Sequence, residues 1–280
     1  MPATIPVAGR FEGRVALVTG AGSGIGRATA ERLAREGAAV GCVDRDRDRL
    51  AETVASLKTD VAGVVIGIEC DITEASEVER AFADLDAAAG VADVVCNVAG
   101  IGGFSHTHET TDAEWARMIA VNLTGTFLVC RAALQRWSAL IADEPKRYRR
   151  RRTPGPGTPA PLPRPAIVNV ASSAGLMGQP YSAAYCASKG GVVQLTKALA
   201  VEYLEAGFRV NAVAPGGVDT PLLTSFVLPE NTSGPLIARM VSPFGFAPPS
   251  DIAALIAFIA SEEAGPMTGS IVPVDGGLTA

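Results

Sequence analysis

The chain has 280 residues, long enough for one large α/β domain or two small ones. Its 48% hydrophobic and 19% charged residues are those of a globular protein with a substantial core. A net charge of −5 argues against general nucleic-acid binding; no signal-peptide core opens the N-terminus, and no apolar run approaches the roughly 18 residues of a membrane helix. The five cysteines are scattered without a C-x-x-C pair, the pattern of reduced thiols in a cytoplasmic protein.

In chain order, residues 14–19 (RVALVT) read as a buried strand, followed at once by GAGSGIG and an amphipathic helix that stops at Gly37. A second buried strand, 38–43, ends at Asp44. Helix 45–58, strand 64–69, helix 74–89 and a strand from 93 that runs into Asn97-Val-Ala-Gly100 continue the alternation. Residues 111–141 read as two helices meeting near 122–126. A strand at 167, a helix over 182–205 and a strand at 209–213 follow, then a last helix at 251–260 and a last strand at 270–274. Strands alternating with helices of this length predict an α/β fold: a single Rossmann-like, doubly wound parallel sheet with helices on both faces.

Two segments depart from this rhythm. Residues 143–164 carry a net +5, and six prolines fall in 154–165, so an exposed, disordered insertion is expected at 143–165. A tolerated surface insertion is the simplest reading of it. Residues 222–246 are apolar but broken by three prolines, which predicts a mobile substrate lobe within 217–249. The expected organisation is therefore one catalytic domain over 1–280.

The glycines of Gly20-Ala-Gly-Ser-Gly24-Ile-Gly26 allow a tight strand-to-helix turn and let a pyrophosphate approach a helix N-terminus. Asp44 can accept hydrogen bonds from both hydroxyls of an adenosine ribose and repels a 2′-phosphate, which favours NAD over NADP. Ser23 offers no positive charge against that repulsion, although Arg45 can. Asp71 either accepts from the adenine amino group or caps the next helix. Tyr185 and Lys189 are four apart on a helix and share a face. An ammonium about 4–5 Å from a phenol lowers its pKa by roughly three units at an effective dielectric near 20. His106 and His108 form an H-x-H pair with no accompanying ligand set beyond Glu109, so no metal is expected.

Gly20/Gly24/Gly26, Asp44, Asp71, Asn97 to Gly100, Asn122, Ser172, Tyr185/Lys189 and Pro215-Gly216 together resemble the short-chain dehydrogenase/reductase family from about Gly13 to Gly277. Val98 replaces the family's usual second Asn, a change expected to touch packing more than chemistry. The resemblance implies a catalytic tetrad of Asn122, Ser172, Tyr185 and Lys189. Tyr185 would be the general acid/base and Ser172 would hold the reacting oxygen. Lys189 would lower the Tyr185 pKa and hold the nicotinamide ribose, and Asn122 would hold a relay water. The family's spacing of thirteen before the tyrosine selects Ser172 over Ser173, and Tyr181 lacks the lysine four residues on. Implied cofactor contacts are Gly20, Ser23, Gly24, Ile25, Gly26, Asp44, Arg45, Asp71, Ile72, Asn97, Ala99, Gly100, Pro215, Gly216, Val218 and Thr220, with Tyr185 and Lys189 at the nicotinamide end.

The reading that follows is an NAD(H)-dependent oxidoreductase interconverting a lipophilic or alicyclic secondary alcohol and its ketone. Its substrate end is expected from Leu222, Leu223, Phe226, Leu228, Ile237, Met240, Phe244 and Phe246. Alternatives are a 3-oxoacyl-carrier-protein reductase using NADPH, and a non-catalytic dinucleotide-binding scaffold acting through the basic insertion. The family resemblance implies a homo-oligomer, a tetramer or dimer; no nucleic-acid or membrane partner is expected.

Overall fold

The strands are β1 (Val15–Thr19), β2 (Ala39–Asp44), β3 (Val65–Glu69), β4 (Val94–Asn97), β5 (Ala166–Val170), β6 (Arg209–Pro215) and β7 (Ile271–Val274). They form one all-parallel sheet in the order β3-β2-β1-β4-β5-β6-β7. This computed structural model describes residues 5–143 and 164–280, so most of the Arg/Pro-rich segment lies outside the described residues. The helices are α1 (Gly24–Arg35), α2 (Arg47–Asp60), α3 (Ala75–Ala89), α4 (Asp112–Ile119), α5 (Thr126–Asp143), α6 (Ala183–Glu202), α7 (Gly234–Ala238) and α8 (Pro249–Ala260).

Alternation along each strand sends side chains to two large cores, with a smaller cluster of Ala171, Val192, Val193, Ala212 and Ala214 beside them. Val40 and Val168 pack with Leu33, Leu50, Leu57, Ile252 and Ile256 from α1, α2 and α8. On the other face Leu17 and Val95 pack with Phe82, Leu85, Leu134, Trp137 and Leu199 from α3, α5 and α6. The expected doubly wound sheet is what forms.

Three details differ from the sequence reading. The junction expected near Asn122 is a π turn, Ala120–Gly125, between α4 and α5. The continuous run 112–142 is, by length and composition, apolar enough to cross a membrane, but half of its most apolar stretch is buried inside the protein. Its apolarity serves the core. The helix expected to reach Glu205 ends at Glu202, and Tyr203 caps it.

The N-terminal edge of the sheet is densely charged yet buried. Arg209 opens β6 and is 2% exposed. Its guanidinium donates to the carbonyls of Ile259 (2.7 Å), Ala260 (2.7 Å) and Ser261 (3.0 Å), the frayed acceptors at the C-terminus of α8. Arg14 pairs with Asp93 and donates to the Arg164 carbonyl at 3.3 Å. Glu36, fully buried, is held by Arg32, by Arg10 at 3.4 Å and by the Val7 amide at 2.9 Å.

Candidate active site

The site lies at the opposite edge. Strand order reverses between β1 and β4, and the loops leaving their C-terminal ends diverge to open a crevice. These loops nearly touch. Gly20 has φ +70°, and a Cβ there would lie 2.8 Å from the Ala99 Cα. A Cβ on Gly22 would lie 2.8 Å from Asp44 Oδ2, in the place where the Gly22 amide donates to that oxygen at 2.8 Å. The other Asp44 oxygen accepts from the Asp46 amide at 2.9 Å. Two backbone amides thus fix the carboxylate at the cavity wall. At the start of α1, Ser23 makes no side-chain capping bond and no acidic residue occupies the first turn. Ser23, Gly24, Ile25 and Gly26 line the cavity, where the helix N-terminus favours an anion.

Asp71 also lines this cavity, but its Oδ1 accepts from the amide (2.9 Å) and hydroxyl (2.7 Å) of Thr73. The bond from the Thr73 amide holds its carboxyl below the ordinary range. It is Glu74, not Asp71, that stands at the N-cap of α3.

At the other end of the cavity β5 delivers Ser172 and Ser173, and α6 delivers Tyr185 and Lys189 one turn apart. Ser172 lies beside the Tyr185 phenol, whose pKa its hydroxyl lowers, and accepts from the Ala174 amide at 3.1 Å. Lys189 Nζ donates to the Val170 carbonyl at 2.8 Å and stands 5.9 Å from the Tyr185 ring centroid. Burial pushes the Lys189 pKa down to about 8. Burial also pushes the phenol up, against the lowering effect of the Ser172 hydroxyl. The depressed phenol expected from the helical spacing is therefore not what the protein alone produces. Each buried group is moved toward its neutral form, with desolvation the largest cause for both.

One cavity of about 720 Å³ gathers most of the residues expected from the sequence. All the cofactor residues line it except Asn97, whose side chain turns into the core and donates to Asn169 Oδ1 at 2.9 Å. Of the tetrad, Ser172, Tyr185 and Lys189 line it and Asn122 does not. Asn122 is buried in the π turn. Its Oδ1 accepts from the Ile101 amide at 2.8 Å, and its Nδ2 donates to the Ile101 carbonyl at 2.9 Å and to Ser188 Oγ at 3.0 Å. The side chain clamps the loop after β4, so any water bond from this residue falls to its backbone carbonyl, which accepts from Thr126 Oγ1 at 2.8 Å. Ser173 makes a local bond, accepting from Gln179 Nε2 at 3.3 Å. Tyr181 packs beneath His106 and accepts from the Ser233 amide at 2.8 Å.

The apolar end contains Leu222, Leu223, Phe226, Leu228, Ile237, Met240 and Phe246 as expected, whereas Phe244 is 80% exposed and lies outside it. Ile101, Phe104, Gln179 and Val241 also line the cavity and were not marked by the sequence reading; Val98, which was marked for packing, lines it too. Val98 thus shapes the cavity as well as the packing around it. Phe226 meets Phe104 (centroids 5.0 Å) and Tyr185 (5.4 Å) edge to face, and it lies against Gly102, where a Cβ would clash with the ring. His106 is engaged with the Glu230 carbonyl at 2.8 Å, and among the described residues no cluster suited to a metal is found.

Residues 14–143 match the family model described as short chain dehydrogenase, and residues 158–279 match that described as enoyl-(acyl carrier protein) reductase. The chain is 38% identical over 274 residues to 2-(S)-hydroxypropyl-CoM dehydrogenase 3 of Xanthobacter autotrophicus, covering 97% of this chain and 98% of that one. The chain belongs to the short-chain dehydrogenase/reductase family. It is 40% identical to cis-4-hydroxycyclohexanecarboxylate dehydrogenase of Sinomonas cyclohexanicum, covering 96% of this chain and 98% of that one. Among solved structures, the 3-ketoacyl-(acyl-carrier-protein) reductase from Brucella melitensis complexed with NADH superposes with a TM-score of 0.81. It is 32% identical, covering 96% of this chain and all of that one. The protein is an oxidoreductase acting on CH–OH donors with a nicotinamide dinucleotide. The crevice fits that group: its glycines leave room where side chains would collide with the Asp44 seat and the Ala99 loop.

Proposed function

We propose that this enzyme interconverts a lipophilic or alicyclic secondary alcohol and its ketone with NAD(H), using Tyr185 as general acid/base. One observation carries the reading: Ser172, Tyr185 and Lys189 meet in the same cavity as the glycine turn and Asp44. Gly20 to Gly26 and the N-terminus of α1 would hold the pyrophosphate, and Val218 and Thr220 the carboxamide end. The dinucleotide, when bound, takes or gives the hydride. Tyr185 moves the proton at the substrate oxygen and Ser172 donates a hydrogen bond to that oxygen as charge develops on it. Lys189, held on the Val170 carbonyl, supplies the cation beside the phenol; the Asn122 carbonyl would anchor a relay water.

Preference for NAD rests on the Asp44 carboxylate. Both its oxygens are oriented by backbone amides, so it cannot turn away from a 2′-phosphate without losing them. Arg45 and Arg49 also line that end, which makes the preference a matter of degree. The five cysteines are all free, which supports a reducing, cytoplasmic setting. Trp115 and Phe127, 45% and 41% exposed on the 112–142 run, support a homo-oligomer formed through that surface. Residues 217–249 serve as a substrate lobe on a single catalytic domain.

The test is steady-state oxidation of a panel of secondary alcohols with NAD and with NADP. NAD is expected to give at least tenfold higher kcat/KM, and Asp44→Ala to erase most of that ratio. Equal or greater efficiency with NADP would refute the cofactor assignment and reopen the carrier-protein reductase.

A further inference from the structure

Among the described residues, the substrate end of the cavity contains one polar side chain besides Ser172, Ser173 and Tyr185. Gln179 lies between the 3-10 turn Ser173–Gly175 and α6, is half-buried, and lines the cavity together with Phe104, Phe226, Leu228 and Met240. Three bonds hold it. Its side-chain nitrogen donates to Ser173 Oγ at 3.3 Å, its backbone amide donates to Cys186 Sγ at 3.4 Å, and its backbone carbonyl accepts from that thiol at 3.9 Å. Ser173 is itself 2% exposed, so the anchor does not swing. With its nitrogen engaged, the carboxamide keeps an oxygen to which no side chain among the described residues donates.

Charge is distributed unevenly along the same cavity. Asp44, Arg45, Asp46, Arg49 and Asp71 all belong to the end where the glycine turn and β2 meet, and Lys189 stands beneath the phenol on the Val170 carbonyl. The lining contributed by the lobe and by Phe104 carries no cation among the described residues. An anionic substituent seated there would be desolvated without a partner, whereas an uncharged hydroxyl needs only an acceptor. An apolar pocket with one fixed polar group orients a ligand by that group.

We propose that Gln179 is a specificity-determining residue that reads a second, uncharged hydroxyl on the substrate, so that the preferred substrates are neutral, ring-bearing diols or hydroxyketones. The proposal rests on the dehydrogenase reading above and deepens it. The second hydroxyl donates to the Gln179 oxygen while the reacting carbinol lies at Ser172 and Tyr185. The ring between them packs against the Phe104–Phe226 pair.

The test compares kcat/KM for trans-1,4-cyclohexanediol, cyclohexanol and cis-4-hydroxycyclohexanecarboxylate, each with NAD, in the wild type, Gln179→Leu and Gln179→Glu. For the wild type the diol is expected to exceed cyclohexanol by about tenfold and the carboxylate by more. In Gln179→Leu the diol-to-cyclohexanol ratio should fall to about one. In Gln179→Glu, which keeps an acceptor oxygen, that ratio should persist while the carboxylate is rejected further. A merely structural role would lower both alcohols together and leave the ratio intact, and that result overturns the proposal. So does a wild type that prefers the carboxylate or shows no preference for the diol. Should the wild type oxidise none of these compounds nor any alcohol of the broader panel, the dehydrogenase reading falls and this one with it. Turnover without a Gln179-dependent ratio removes this one alone. Thermal melting of each variant separates misfolding from altered selectivity, and the ratio is read on folded protein.

Discussion

The two edges of the sheet are made by the same strands and solve opposite problems. At the N-terminal edge, buried charges meet partners inside the protein: Arg209 on three carbonyls at 3.0 Å or less, Glu36 on two arginines and an amide. At the C-terminal edge, Asp44, Asp71 and Tyr185 keep part of their hydrogen-bonding capacity facing a cavity, and glycines hold that cavity open. One edge is closed by its own chemistry. The other is completed only by what it binds, which is where ligands lie in open parallel sheets.

The sharpest break in this contrast is expected from Tyr185→Phe, which should lower kcat by about 10³-fold or more while leaving NADH affinity within a few-fold. Stopped-flow turnover and fluorescence titration measure the two, and retained turnover would remove Tyr185 from the mechanism. At the other edge, Glu36→Gln removes the buried carboxylate that Arg32 and Arg10 share, while Arg10 keeps Glu263 at 2.9 Å. It should cost about 3–5 kcal/mol in urea unfolding and leave kcat/KM of the folded protein near wild type.

Lys189 tests the boundary between the edges, being a charge buried at the functional one. Its pKa is lowered to about 8 in the fold from an ordinary 10.5. Between these values the unfolded chain binds the extra proton, so unfolding free energy contributed by this group rises with pH. Wild type minus Lys189→Met should therefore gain about 3 kcal/mol between pH 8 and pH 10.5, read by urea unfolding across pH. Cys42, Cys96 and Cys130, pushed up to about 12 by burial, destabilise the fold as alkaline pH ionises the unfolded thiols, but they are common to both proteins and cancel. A flat difference would show that the ammonium is better solvated than its burial implies. The smallest effect is expected from Gly22→Ala. Its new methyl group displaces the Asp44 carboxylate, and NADH affinity should fall about tenfold with little change in melting temperature.

The fold was legible because strand and helix periods alternate strictly and the strands are apolar on both faces. The glycine turn, Asp44, Ser172, Tyr185 and Lys189 were legible because each sits at a fixed offset from an element boundary. What stayed hidden depends on side-chain direction in irregular backbone. Prolines at 229, 235 and 243 marked a lobe, but not that Phe246, itself 61% exposed, lies over Gly217 at the cavity while Phe244 lies outside it. Phe104, Gln179 and Val241 carry no periodic signal. Spacing does not show that Asn97, the final residue of β4, directs its side chain into the core, toward Asn169 on β5. Helical spacing shows the lysine beside the tyrosine and not the depth at which both are buried.

The Arg209 clamp has a consequence for how the molecule opens. A helix end ordinarily exchanges its amide hydrogens first, by fraying that leaves the rest intact. Here the last carbonyls of α8 are bound to a side chain rooted in the first residue of β6. The terminal turn of α8 should then exchange with the slow, sheet-wide class of amides, and Arg209→Met should move it into the fast class.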